Sequence, residues 1–343
     1  MRHLLNTLFV TSADVYLTLD GENVVVRRNT EVVGRFPLHN LEGIVCFSHA
    51  GASPALMGAC VKRNIGLSFC TPGGRFLART AGIVNGNVLL RREQYRVADN
   101  PDLSCQIAKY MIWGKLFNGR WSIERTKRDH KLRIDEEKFR NASAAIYGLL
   151  PQVMEAPSLD ALRGIEGAAA SLYFEVFDDR ILRNKDSFFF HGRNRRPPMD
   201  NVNALLSFAY SLLAGDCASA LESVGLDAYV GFMHRDRPGR TSLALDMMEE
   251  LRPCIADRFV LTLINNTVVG PDDFEAAEGG AVTMTVDGRR RFLKGWQERK
   301  QEVITHPYLG EKLPWGLVPY MQALLLARYL RSDLDAYPPF LWK

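Results

Sequence analysis

A chain of 343 residues with 47% hydrophobic and 24% charged side chains is long enough for two domains, each with its own core, and this profile excludes disordered and fibrous classes. The net charge of +4 is too small for a protein that coats polyanions by bulk charge. Six cysteines at 46, 60, 70, 105, 217 and 254 never form a C-x-x-C pair, so they read as reduced, mostly buried thiols, with no zinc knuckle and no redox motif. No apolar run approaches the roughly 18 to 20 residues that span a bilayer, and no cleavable leader follows Met1, so the expectation is a cytoplasmic protein without a membrane partner.

The first ninety or so residues read as β-rich. Val15–Leu19 and Val24–Arg28 alternate around Asp20-Gly21, a hairpin-turn dipeptide, and further strands are expected at Glu31–Phe36, Gly43–Phe47 and Gly66–Cys70. Ser53-Pro54 is a cap followed by Pro at the first helical position, which predicts a short helix to about Arg63. After Asn100-Pro101 the period becomes 3.6 and stays there. Helices are expected near 102–127, 136–153, 158–177, 200–214, 243–251, 255–264, 287–303 and 314–331, with Pro151 and Pro253 among the stop signals. The fold class is therefore α+β: a β-rich domain over 1–97 and a larger helical domain over 98–343.

Three places carry candidate chemistry. Glu166 shares an inward stripe with Leu162, Ala169 and Tyr173, where a carboxylate is costly unless it is protonated, paired or bound to metal. Pairing with an arginine such as Arg163 is the plain alternative. Gly164 and Gly167 beside it leave room for a backbone or a phosphate. His234 ends the apolar segment Ala228–Met233 and suits a ligand, a general base or a hydrogen-bonded structural residue. Twelve residues later, Asp246 and Glu249 share one helical face, and like charges there need a cation or a base between them. A solvated acidic face answered by Arg252 is the other reading. Carboxylates with one imidazole make a hard, oxygen-rich site that selects Mg²⁺ or Mn²⁺ over zinc and suits phosphodiester chemistry.

Phosphate is also what Arg180–Arg196 would attract. Six bases against one acid give this segment +5, more than the whole chain, with Phe188, Phe189 and Phe190 interleaved. Arg193, Arg195 and Arg196 are its candidate DNA contacts, unless the phenylalanines are core and the arginines only solvate a loop. A second cluster around Arg289–Arg291, Lys294, Arg299 and Lys300 is tempered by Asp287, Glu298 and Glu302.

In order, Gly164-x-Glu166-Gly167, Arg196-Pro197-Pro198-x-Asp200-x-x-Asn203 through Tyr210, His234, and Leu245-Asp246-x-x-Glu249-x-x-Arg252-Pro253 resemble the CRISPR adaptation integrase, the CRISPR-associated endonuclease that inserts new spacers. The opening Leu5–Val10 and Asp14–Leu17 look most like the branch found in type I-C systems. The resemblance implies Mg²⁺ or Mn²⁺ held by Glu166, His234 and Glu249, with Asp246 supporting the site or helping to position DNA. It implies a homodimer built through the β-domain and a larger complex with a small ferredoxin-like CRISPR-associated partner. It also implies double-stranded DNA as substrate, both the captured fragment and the CRISPR repeat, with a 3′-hydroxyl attacking a phosphodiester. Two other functions fit the same residues: a metal-dependent nuclease on branched DNA in repair, and a catalytically silent DNA-binding scaffold.

Overall fold

In the computed structural model, which describes residues 6–12, 14–63, 65–71, 76–80, 88–194, 197–277 and 279–343, two strand systems share the first eighty residues. β1 (Thr7–Val10) precedes a meander of β2 (Tyr16–Asp20), β3 (Asn23–Arg28) and β4 (Glu31–Pro37), followed by β5 (Gly43–Cys46), α1 (Pro54–Lys62), β6 (Gly66–Cys70) and β7 (Phe76–Arg79). Pairing of Asp20 with Asn23 leaves Gly21-Glu22 as a two-residue turn, and Gly21 takes the φ of +58° that such turns require. The second sheet has the order β1-β5-β6-β7, with the first three parallel and β7 antiparallel at one edge. Parallel neighbours need a crossover, and α1 supplies it between β5 and β6. The Ser53 hydroxyl caps that helix by accepting the Leu56 N–H at 3.3 Å. Leu17, Val24, Ile44, Leu56, Cys60 and Leu67 form the small core between the two sheets and α1.

The helical part begins ten residues earlier than the 1–97 and 98–343 division expects, because α2 spans Val88–Asp99. Its buried face is Leu90, Gln94 and Val97, so a glutamine interrupts the apolar period that would have marked it. Gln94 is there for its amide: Nε2 donates to the Asp227 and Val230 carbonyls at 2.7 and 2.9 Å, and Oε1 accepts the Asp227 N–H at 2.9 Å. Next come α3 (Pro101–Asp129), α4 (Glu136–Glu155), α5 (Leu159–Glu175), α6 (Asn201–Ser223), α7 (Ser242–Leu251) and α8 (Arg258–Asn265). The hairpin β8 (Phe274–Ala276) and β9 (Val282–Met284), α9 (Val286–Gln301), the hairpin β10 (Val303–Thr305) and β11 (Lys312–Pro314), and α10 (Val318–Leu330) complete it.

Two prolines do not stop helices. Pro151 lies inside α4, and Pro253 sits in a π-helical stretch, Arg252–Asp257, that joins α7 to α8 without a break. A π turn has one residue more per turn than an α turn and accommodates the proline by local widening. Among the described residues one helix, α6, is long and apolar enough to cross a membrane, and 67% of that stretch is buried inside the protein.

Tyr337, Phe340 and Trp342 bring the final segment back across the helical core. Asn118 of α3 donates to the carbonyls of Glu250 and Phe340, both at 2.7 Å, and accepts the Trp342 N–H at 2.8 Å. Glu250 accepts from the Tyr337 hydroxyl, from Gln322 at 3.0 Å and from the Phe340 N–H at 2.8 Å. Burial pushes its carboxyl up to about 7, against those three donors.

Candidate metal centre and its surroundings

α3, α5 and α7 pack together, and their facing sides gather Lys115, Glu166 and Glu249. Leu162, Ala169 and Tyr173 anchor α5 in the core as expected, while the Glu166 side chain stands at the stripe's edge, 24% exposed. Its partner is not Arg163. Lys115 Nζ binds Glu166 Oε1 and also lies 2.6 Å from Glu249 Oε2, so one ammonium bridges the two carboxylates. Arg252 holds Glu249 from the other side, with Nη1 2.9 and 3.0 Å from the two carboxylate oxygens. Burial works to raise the Glu249 pKa, but Arg252, Lys115 and the nearby His234 outweigh it and hold the carboxyl well below its usual range. The alternative of a solvated acidic face is thereby removed: Asp246 and Glu249 are both buried.

Asp246 does not point at the same cation position. Its Oδ2 accepts the N–H groups of Phe232 and Met233 at 2.7 and 2.9 Å, and its Oδ1 accepts the His234 N–H at 3.0 Å and faces His234 Nδ1 at 2.5 Å. A carboxylate has only acceptors to offer, so Nδ1 donates to Asp246, and Nε2 is the ring nitrogen that Asp246 leaves for another partner. The turn wraps so closely that a methyl group at Gly231 would come within 2.8 Å of Asp246 Oδ2, so glycine is needed there. Arg163 closes the loop from the other side by donating to the Met233 carbonyl at 2.6 Å, and also pairs with Asp160 at 2.5 Å. Asp246 is therefore a positioning residue for His234.

Two carboxylates converging on one ammonium, near an imidazole held through Nδ1 alone by Asp246, are a hard donor set that fits a divalent cation. Among the described residues no three His, Cys, Asp or Glu side chains stand close enough together to hold an ion as they are placed, and Lys115 is the cation that Glu166 and Glu249 share. Lys115 was missed from sequence, although a visible signal existed: it is the single charge in the apolar run Met111–Phe117.

Behind Glu249 runs a buried polar chain. The hydroxyls of Tyr173 and Tyr210 both donate to Asp257, the former at 3.0 Å, and the Arg252 guanidinium lies 4.2 Å from the Tyr210 ring centroid. Burial raises the Asp257 pKa against these partners. A cavity of about 30 Å³, room for a water or two, lies between this chain and Lys115, lined by Gly119, Ala169 and Phe174 as well.

The basic segment is largely built into the fold. Phe188 and Phe190 are core, with only Phe189 partly exposed, and Arg180 is buried against Ser122 and Thr126. Lys185 pairs with Asp178 at 2.8 Å. Arg193 turns back onto α6, donating to Asn203 Oδ1 at 2.5 Å and Ser207 Oγ at 3.0 Å, with its guanidinium 5.2 Å from the Tyr210 ring centroid. Arg193 is thus held against Asn203, Ser207 and Tyr210 of α6. Arg195 and Arg196 lie outside the described residues. In the second cluster Arg290, Arg291, Arg299 and Lys300 each pair with a carboxylate. Gly164 and Gly167 face open space beside Glu166.

Comparison with known proteins finds relatives over the whole length of the chain. The model of the family described as CRISPR associated protein Cas1 matches residues 8–298. CRISPR-associated endonuclease Cas1 1 of Chlorobaculum tepidum is 49% identical over 343 residues, covering all of both chains. CRISPR-associated endonuclease Cas1 2 of Rhodospirillum rubrum is 49% identical over 347 residues, again covering all of both. Among solved structures, a casposase bound to integration product is 22% identical with a TM-score of 0.84, covering 98% of this chain and 94% of that one. A CAS1 protein from Thermotoga maritima has a TM-score of 0.81 at 20% identity, covering 97% and 99%, and shares the order of an N-terminal β-domain followed by a helical domain. The chain belongs to the Cas1 family of CRISPR-associated proteins.

Proposed function

We propose that this protein is a divalent-metal-dependent DNA endonuclease and integrase that inserts new spacer DNA into a CRISPR array. The observation that carries the reading is the convergence of Glu166 and Glu249 on one cation position, beside an imidazole whose Nδ1 is tied down by Asp246. Glu166, Glu249 and His234 Nε2 would hold Mg²⁺ or Mn²⁺. The bound ion would polarise the scissile phosphodiester and favour the alkoxide form of an attacking 3′-hydroxyl. Arg252 keeps the Glu249 carboxylate ionised and oriented, and Asp246 holds the imidazole through Nδ1, so that Nε2 is the nitrogen left for the ion. Open space at Gly164 and Gly167 lets a DNA strand approach next to Glu166.

The relatives' names as endonucleases and the casposase's bound integration product support joining as well as cutting. A structural neighbour, a Cas6-RT-Cas1–Cas2 complex, supports a protein partner, which we propose to be small and ferredoxin-like. We further propose a homodimer through the β-domain, a cytoplasmic location and, from the opening segment, membership of the type I-C branch. Glu166→Gln keeps the side chain's shape and removes its charge. The expected result is near-complete loss of Mn²⁺-dependent joining of a labelled 3′-hydroxyl end, with DNA binding retained. Folded Glu166→Gln or His234→Ala protein that joins at the wild-type rate would overturn the assignment, and hydrolysis without joining in the wild type would favour a repair nuclease.

A further inference from the structure

Resting on that reading, we propose that Lys115 is a tethered cation that occupies the metal position between Glu166 and Glu249 and must be displaced when the divalent ion enters. The ammonium touches both carboxylates at once, with Glu249 Oε2 at 2.6 Å, and the lysine side chain is only 14% exposed. No other charged residue lies in the run Met111–Phe117, so the helix carries this charge into an apolar interface for those two partners. Two carboxylates packed together repel, and a buried pair left without a cation would protonate or separate. Lys115 and Arg252 supply two positive charges against the two negative ones of Glu166 and Glu249, so these four side chains balance before metal arrives.

This balance has a thermodynamic consequence. Entry of a divalent ion adds two positive charges to this balanced set, and the freed ammonium stays tethered beside it on α3. The resulting excess positive charge is then relieved by phosphodiester anions, so metal and DNA strengthen each other's binding reciprocally. In this arrangement Lys115 weakens metal binding in the free protein and helps to bring metal and DNA to the site together.

The test measures Mn²⁺ affinity by electron paramagnetic resonance on the full-length protein, without DNA, for wild type, Lys115→Met and Lys115→Gln. Removing an ion-paired competitor at contact distance should tighten Mn²⁺ binding by about tenfold or more. The melting temperature of both variants should rise with Mn²⁺ by more than that of the wild type. The enhancement of Mn²⁺ affinity by added duplex DNA should shrink in the variants. Unchanged or weaker Mn²⁺ affinity in either folded variant would overturn the proposal, as would a Mn²⁺-soaked structure with Lys115 still bridging both carboxylates. A wild type whose Mn²⁺ binding is indifferent to Glu166→Gln would instead defeat the proposed metal site itself, so the two failures are distinct.

Discussion

At the scale of single residues, the clearest division of labour is between the two acids of α7. Asp246 and Glu249 share a helical face in sequence, yet one faces the backbone of the His234 loop and the other faces Lys115 and Arg252. The rule that like charges on one face need a cation or a base between them was legible, and so was Arg252 as one answer. Lys115 stands out as a lone charge in an apolar run, but its pairing with Glu249 was not legible, because the two lie more than 130 residues apart and only the packing of α3 on α7 brings them together. Asp246→Asn offers an amide NH₂ where two of the present contacts need an acceptor, so the loop loses part of its anchorage and His234 its carboxylate partner. The expected outcome is a roughly 10- to 100-fold fall in Mn²⁺ affinity, read by the same resonance titration, with the protein still folded.

Among the elements, the π-helical join between α7 and α8 does work that an α-helical join would not. Five residues of α-helix would rotate Arg252 and Asp257 to different faces, since each step turns by about 100°. The wider turn instead lets both meet Tyr210, Arg252 over its ring and Asp257 at its hydroxyl. Sequence reading took Pro253 for a stop, which is the usual meaning of proline after an acidic helical turn. A double-mutant cycle between Arg252→Met and Asp257→Asn, measured by urea denaturation, should give a coupling of about 0.5 to 3 kcal/mol, the range found for residues in one network. Additivity within about 0.3 kcal/mol would show that Tyr210 does not connect them. The same logic explains the missed α2: its core face includes Gln94, whose amide stitches the helix to the Asp227–Val230 turn, and periodicity counts only apolar side chains.

For the whole molecule, the α+β order and most helix positions were readable because capping residues and periodicity agree along the chain. The parallel pairing of β1 with β5 was not, since nothing local marks partners that lie so far apart. β4 ends its sheet with Val32 and Val33 about half exposed and Phe36 partly so. An apolar edge strand of this kind invites pairing with another chain. If the proposed homodimer forms there, Val32→Asp with Val33→Asp in the full chain should shift sedimentation from dimer to monomer while leaving the melting temperature nearly unchanged. A variant that sediments with the wild type would move the interface elsewhere.

Glu250 has a bearing on how the protein is made. Its carboxylate sits next to Glu249 at the end of α7, but every side-chain partner it has, Gln322, Tyr337 and the Phe340 N–H, is encoded 72 to 90 residues downstream. At a synthesis rate of roughly 5 to 20 residues per second, the ribosome reaches Phe340 on the order of ten seconds after it makes Glu250. Through that interval the nascent helix carries a carboxyl group with no native partner, so it stays solvated and the helices around it cannot close. The segment from Gln322 to Phe340 therefore acts as a late stitch: the end of α7, which carries Glu249, gains its native packing around Glu250 only once that segment has docked.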